Sequence, residues 1–403
     1  VSGETSVQIG DRVRLSTYED CRDAYRQRNF RQALYDEGAA LMSDVIVNLH
    51  GDAHRDRRRL ENRLFRRDVF LRWEHEIIPD IVERVLAPAV TAGHGDLIPL
   101  ARRAMMTLAA EIAGVDRPSG TEEEFDDLYA IMTRLSAAST VVHATGDKAA
   151  ITADGLAALG EFDERFLRPS IERRRALIAT GDPDQLPRDV LTTLLTNQDA
   201  LDLPADVVLR EVAYFPWVGS HSTSNALAHA LHHVFTWLEE HPEDRTRLEG
   251  DRELVQRFAH ESLRLHPPSP EALRHALADV ELSSGTKVPE GALVVIDVLN
   301  ANRDPDVFGP TASQFDPFRA LPDGVSLWGL SFGSGFHACL GQELAGGVPV
   351  GLGGPEGSEL YGSIATMIKA LLDHGARRDP EDRPVADAAS RRPQFGRYPL
   401  LFD

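Results

Sequence analysis

One ten-residue segment constrains this chain more tightly than any other: Phe332-Gly333-Ser334-Gly335-Phe336-His337-Ala338-Cys339-Leu340-Gly341. It follows an irregular stretch and leads into a predicted helix starting near Leu340. A cysteine at a helix N-terminus feels the positive end of the helix dipole and nearby backbone N–H donors. Both favour the thiolate, the form that ligates a metal. The flanking glycines permit positive φ and let the backbone approach a flat, bulky group closely. The 403 residues hold only two cysteines, Cys21 and Cys339. Two are too few for a disulfide framework or a four-thiolate zinc site, so a reducing cytoplasm is the expected setting. Cys21 lies outside every motif and reads as an incidental thiol.

Helical periodicity dominates the rest of the chain. Residues 53–72 are dense in arginine, with Leu60, Leu64 and Phe65 marking an apolar stripe. Amphipathic helices are expected over 74–92, 97–114, 122–140 and 155–180. A long helix is expected over 206–240, stopped before Pro242, and another over 251–265, closed by His266-Pro267-Pro268. Strand signals are few: Val7-Gln8-Ile9 with Val13-Arg14-Leu15, Ile46-Val47, Val280-Glu281-Leu282 and the run 293–298. The pattern predicts a mainly α protein with a small β region. A Gly/Pro-rich run over 346–357 reads as a surface loop, because no strand leads into it as a dinucleotide fingerprint requires.

Charge narrows the function classes. Lys and Arg total 43 against 63 Asp and Glu, a formal net charge of −20. A general nucleic-acid binder needs a basic footprint, so that class is not expected. No apolar run approaches the roughly 20 residues of a membrane span, and neither a span nor a secretory leader is expected.

The order F-x-x-G-x-H-x-C-x-G in the cysteine segment resembles the haem-binding loop of cytochromes P450. Other segments agree, in family order. Glu261-Ser262-Leu263-Arg264 is similar to the family's E-x-x-R, its acid and base at i, i+3 on one helix face. Ala301-Asn302-Arg303-Asp304-Pro305, leading to Phe315-Asp316-Pro317-Phe318-Arg319, is similar to the segment that supplies a third partner, here Arg319. These three residues are implied to be structural. His54 and Arg58 match the family's H-x-x-x-R, and Arg274 lies ten residues past Arg264, where the family has another propionate-binding arginine. With His337 they are the candidates for holding the two haem carboxylates. The resemblance runs from about Tyr18 to the C-terminus.

What it implies is a P450 fold in one large domain over residues 1–403, with one haem b ligated by Cys339. Phe332 would shield the sulfur, and Gly335 and Gly341 would shape the loop. The thiolate in such proteins pushes electron density toward O–O cleavage. The implied activity is oxidation, by hydroxylation or a similar step, of a small organic substrate of the secondary-metabolite kind, using O2 and two electrons. The implied donors are a small acidic ferredoxin and its reductase. Arg55, Arg57, Arg58, Arg59, Arg63, Arg66 and Arg67 crowd one helix of an acidic chain, and those not facing haem form a candidate docking patch. Substrate contacts are expected from Tyr214, Phe215 and Trp217, from residues 41–47 and from residues 268–272.

The sequence departs from the family in three places. On the long helix the family writes A/G-G-x-D/E-T, whereas this chain has Val218-Gly219-Ser220-His221-Ser222-Thr223-Ser224-Asn225. One register puts His221 in the acid's place and Ser222 in the alcohol's. The next makes Thr223 the alcohol, and a third uses Asn225 and Ala226. None supplies a carboxylate. Gly219, His221, Ser222 and Thr223 are the distal candidates, with His221 expected either to relay protons, to bind an acidic substrate group or simply to pack. About fifty residues precede His54, fewer than the family usually has, so its first helix and some early sheet are expected to be absent. The run 346–357 interrupts the helix that normally follows the cysteine. Two other functions stay open: a peroxide-driven or non-hydroxylating haem-thiolate enzyme, and a non-catalytic P450-like auxiliary protein, against which the presence of Cys339 speaks.

Overall fold

The computed structural model describes residues 6–9, 12–349 and 359–403. Two apolar clusters organise it, one inside a large helical body and one behind a small sheet. The helix Leu97–Ala113 shows how the body is specified. Asp96 accepts from the Ile98 N–H at its start, Gly114 ends it in the left-handed region at φ 82°, and nearly every apolar side chain between them is buried. The Asp cap satisfies one of the four free N–H groups, and glycine takes the left-handed C-terminal position without steric cost. Against it lies the helix Ala205–Glu240, 36 residues or about 54 Å long, which traverses the body.

The helices over 97–113, 122–139, 205–240 and 252–265 fall where periodicity predicts them. Two others are longer than predicted. Arg67–Arg72 continues through a single wide turn, Trp73–Ile77, into Ile78–Ala92. Lys148–Phe162 does the same through Asp163–Leu167 into Arg168–Ala179. The arginine-dense stretch is shorter than expected, with its helix confined to Gly51–Glu61.

The sheet has five strands in the order Ser6–Ile9, Arg12–Leu15, Leu293–Asp297, Glu271–Ala276, Phe30–Gln32. Only the second and third run parallel, joined over Arg12 to Leu15 against Leu293 to Ile296. Contrary to the expectation from the short N-terminal segment, the early sheet is therefore in place, followed by the helix Tyr18–Arg26. Ile46-Val47 does not form a strand. It is a short turn, Ile46–Asn48, because the Ile46 N–H is satisfied by the Glu211 carboxylate at 2.9 Å rather than by a neighbouring strand.

Cys21 is buried in the sheet cluster, its Sγ 3.2 Å from the Leu15 carbonyl, and burial pushes its thiol strongly upward. Beyond Cys339 the helix Gln342–Gly346 is short and the next, Gly362–Asp373, begins past the Gly/Pro-rich run. Most of that run, residues 350–357, lies outside the described residues. No helix among the described residues is long and apolar enough to cross a membrane.

Candidate active site

The Cys339 loop closes on itself: the Cys339 N–H donates to the Phe332 carbonyl at 2.9 Å. Gly335 takes φ +67°, and a Cβ there would lie 2.6 Å from the Tyr25 carbonyl, so only glycine fits. Gly341 differs: its φ is −88° and a Cβ would meet nothing within 4 Å. Its small size therefore leaves room on the cavity side rather than relieving backbone strain. The Phe332 ring packs edge-on to Trp328, centroids 5.4 Å apart, and touches the position a Gly346 side chain would take. The Cys339 side chain is accessible, yet protein surrounds it, because it opens into an internal cavity. Burial raises its thiol pKa, while the Gly341 N–H and the Arg58 guanidinium pull it down.

Residues from distant segments line the same cavity: His54, Arg58, Arg274 and His337 beside the cysteine, and Gly219, Ser222, Thr223 and Ala226 from the long helix. Arg58 donates to the Ala338 carbonyl at 2.6 Å. Arg274 is almost fully buried on its strand, held by the Gln32 side chain and the Leu273 carbonyl at 2.9 Å. The His54 and His337 rings stand 4.0 Å apart, and the His54 Nε2 is buried without a partner. Burial and neighbouring positive charge hold His54 at about 4 and His337 at about 3. Both arginines are also shifted downward by burial. The only carboxylate lining this cavity among the described residues is Glu271, which is paired with Arg14. A concentration of buried cationic and donor groups without an anion is what a group bearing two carboxylates would complete. The donor set, the cavity-facing thiol and the open side of Gly341 thus fit haem.

On the long helix, positions 215, 218, 219, 222, 223 and 226 share the cavity face. The Ser222 hydroxyl donates back to the Val218 carbonyl at 2.7 Å. Thr223 makes no such bond, so on this face of the long helix, among the described residues, its hydroxyl is the alcohol left free toward the cavity. His221 points elsewhere. Its Nδ1–H donates to the Trp217 carbonyl at 3.0 Å, and burial beside Arg102 and Arg392 lowers its pKa to about 4. It is neutral near pH 7 and turned from the cavity, which corrects its reading as a proton relay at the oxygen site. Asn225, offered by the third register, also turns away and donates to Gln394 at 2.7 Å. Tyr214 and Phe215 line the cavity, as do Ile46, Val47, Pro268, Ser269 and Ala272, whereas Trp217 packs edge-on to Tyr35 behind it.

Glu261, Arg264 and Arg319 come together in a buried network. Arg264 meets both Glu261 oxygens at 2.7 Å, and Arg319 Nε approaches Oε1 at 3.4 Å. Asn302, to which no role was assigned from sequence, joins this network to the cysteine loop. Its Nδ2 donates to the Arg264 carbonyl at 2.9 Å and its Oδ1 accepts from the Leu330 N–H at 2.7 Å. A second unforeseen group is the buried cluster Glu61, Glu211 and Arg57. Arg57 reaches Glu211 at 2.8 Å, while both Glu61 oxygens lack partners.

The family model for Cytochrome P450 matches residues 11–346. Human cytochrome P450 4F2 is 31% identical over 207 residues, 43% of this chain and 39% of that protein. The vitamin D(3) 25-hydroxylase of Pseudonocardia autotrophica is 25% identical over 345 residues, 82% of this chain and 76% of that one. The chain thus spans about two fifths of the human relative's length. The crystal structure of CYP109E1 from Bacillus megaterium in complex with testosterone superposes with a TM-score of 0.74 at 18% identity, covering 100% of this chain and 96% of that one. At that identity the likeness is one of fold.

Proposed function

Because the chain belongs to the cytochrome P450 family, we propose that it is a haem-thiolate monooxygenase oxidising a small organic molecule with O2 and two electrons from a redox partner. The observation that carries this is the Cys339 sulfur opening into a cavity whose cationic side chains have no anion of their own. Haem b held there would supply the iron that activates O2, with the thiolate donating electron density to it.

This chain's own residues do the rest. Cys339 would ligate the iron, the Gly341 N–H and Arg58 favouring its thiolate against the burial that raises its pKa. Phe332 would cover the sulfur, and His54, Arg58, Arg274 and His337 would hold the propionates. The Thr223 hydroxyl holds a proton at Oγ1 on the cavity face, with Ser222 one position back. Leu108, Ala109, Ile112 and Phe215 also line the cavity and exclude water around an apolar substrate. Glu261, Arg264 and Arg319 position the loop through Asn302.

An acidic ferredoxin, reduced by its reductase, is the proposed donor. Arg59, on the helix Gly51–Glu61, and Arg63, in the turn that follows it, are exposed, and among the described residues no carboxylate pairs with them. By contrast Arg55 is engaged by Asp52 and Asp56, and Arg66 by Asp68. Phe336, exposed on the thiolate loop beside Arg28, adds an apolar contact.

One observation favours a second reading, peroxide-driven oxidation: the cavity face of the long helix over 215–226 carries no carboxylate. The two separate cleanly when product formation is compared with ferredoxin, reductase and O2 against hydrogen peroxide alone. Product in the first mixture supports the monooxygenase; product with peroxide only replaces it with the second reading.

A further inference from the structure

We propose that His260 is a positioning residue for the thiolate: its bond to the Gly346 carbonyl holds the interrupted helix after Cys339 against Phe332, and so sets how well the sulfur is shielded. This rests on the haem-thiolate reading above and deepens it.

The helix that leads away from the cysteine is only five residues long, Gln342–Gly346, and Gly347 ends it at φ 74°. The chain becomes helical again at Gly362–Asp373. The two ends of the intervening run meet. The Val348 N–H donates to the Leu360 carbonyl at 2.7 Å, and a Cβ on Gly362 would lie 2.4 Å from the Gly347 nitrogen. Where a helix stops, the carbonyls of its last turn lose their intrahelical donors. A continuous helix would hold residues 342–346 through its own ladder of bonds, and this one stops too soon to do so.

The helix Arg252–Leu265 supplies the missing hold. Gln256 and His260 stand one turn apart on one face of it, both buried. His260 Nε2–H donates to the Gly346 carbonyl at 2.6 Å. Gln256 Nε2 is surrounded by carbonyls, those of Leu360 at 2.8 Å, Tyr361 at 3.1 Å, and Gly346 and Val348 at 3.3 Å. Gln256 thus gathers the base of the whole run, whereas His260 has, among the described residues, one acceptor: the last residue of the helix after Cys339. Burial holds the ring neutral, at about 4, and a carbonyl only accepts, so the one ring proton sits on Nε2. Nδ1 is buried without a partner among the described residues, so no second bond orients the ring.

From Gly346 the contacts run to the sulfur's neighbours. A Cβ on Gly346 would lie 3.1 Å from Phe332 Cε2 and 3.8 Å from His260 Nε2, so glycine lets the three groups meet. Trp328 closes the box, edge-on to His260 with centroids 4.9 Å apart and edge-on to Phe332 at 5.4 Å. The Phe332 carbonyl accepts from the Cys339 N–H at 2.9 Å, so the braced residue is also the one bonded to the cysteine backbone. Water or donors reaching a ligating sulfur draw electron density from it and make the potential of its metal more positive. A loosened Phe332 therefore has a redox signature and not only a cost in stability.

The test uses haem-loaded wild type and the H260Q, H260F and H260L variants. Gln keeps a donor where Nε2 stands, Phe keeps a ring edge for Trp328 without the donor, and Leu keeps neither. Each sample is first checked for the thiolate band of the reduced CO complex, and its absence in the wild type removes the parent reading rather than this one. Dye-mediated titration then gives the midpoint potential, and absorbance in mild urea gives the rate at which the thiolate band decays to the unshifted one. H260F and H260L are expected to have a more positive potential and a decay about fivefold or more faster, as loss of one hydrogen bond implies. H260Q should keep the wild-type potential and decay within about twofold of the wild-type rate. A variant H260F or H260L without any thiolate band, beside an H260Q that retains it, is the same result at its limit. The proposal is overturned when H260F and H260L keep the wild-type potential, even with a lowered melting temperature, or when H260Q changes as far as they do.

Discussion

Arg58 donates its Nη2–H to the main-chain carbonyl of Ala338, 2.6 Å away, and Ala338 immediately precedes Cys339. One side chain thereby couples the helix Gly51–Glu61 to the thiolate loop, while its charge pulls the Cys339 thiol downward. In the holoprotein the same guanidinium is proposed to bond a propionate. Arg58→Leu should accelerate haem transfer to apomyoglobin about tenfold or more, the loss expected for a charged hydrogen bond. Arg58→Lys keeps the charge without the fork and should fall between. Equal transfer rates in all three proteins would remove Arg58 from haem retention.

The Glu261–Arg264 pair is buried, and removing one partner strands the other's charge. Glu261→Ala and Arg264→Ala should each destabilise by about 3–5 kcal/mol in urea unfolding. The double variant should cost much less than the sum, because neither charge is then left alone. Additive losses would show that the two residues act separately.

Glu61 is enclosed with both carboxylate oxygens unbonded, and burial beside Glu211 raises its pKa well above the usual carboxylate value. Burial likewise raises Glu211, to about 7. A carboxyl whose folded pKa is raised contributes fully below its unfolded value near 4.5, and that contribution is lost as pH rises through the folded value. Thermal unfolding of the wild type should therefore weaken on passing from pH 5 to pH 8. Glu61→Gln, neutral throughout, should lose less over that interval. Parallel melting curves for the two proteins would contradict this placement of the proton.

Thr223 offers its hydroxyl to the cavity, and His221 does not face it. Thr223→Ala should lower the ratio of product formed to O2 consumed, whereas His221→Asn should leave that ratio unchanged. The opposite pattern would return the relay to His221.

The thiolate loop and the Glu261–Arg264 pair were readable in sequence because their residues are close along the chain and their geometry is local. The register at 219–226 was not. His221, Ser222 and Thr223 are adjacent, and only packing decides which of them meets the cavity. Ile46-Val47 looks like a strand by side-chain type, but a carboxylate 165 residues away satisfies the Ile46 N–H and bends the chain into a turn. Arg57 and Glu211 are 154 residues apart, and nothing near either one announces the other.

The central claim is that Cys339 is the axial ligand of a haem iron. Recording the absorption spectrum of the dithionite-reduced, CO-bound protein tests it most directly. The account predicts the strongly red-shifted Soret band of a thiolate-ligated haem, lost in Cys339→Ala. An unshifted band in the wild type, or the same red-shifted band in the variant, would contradict it.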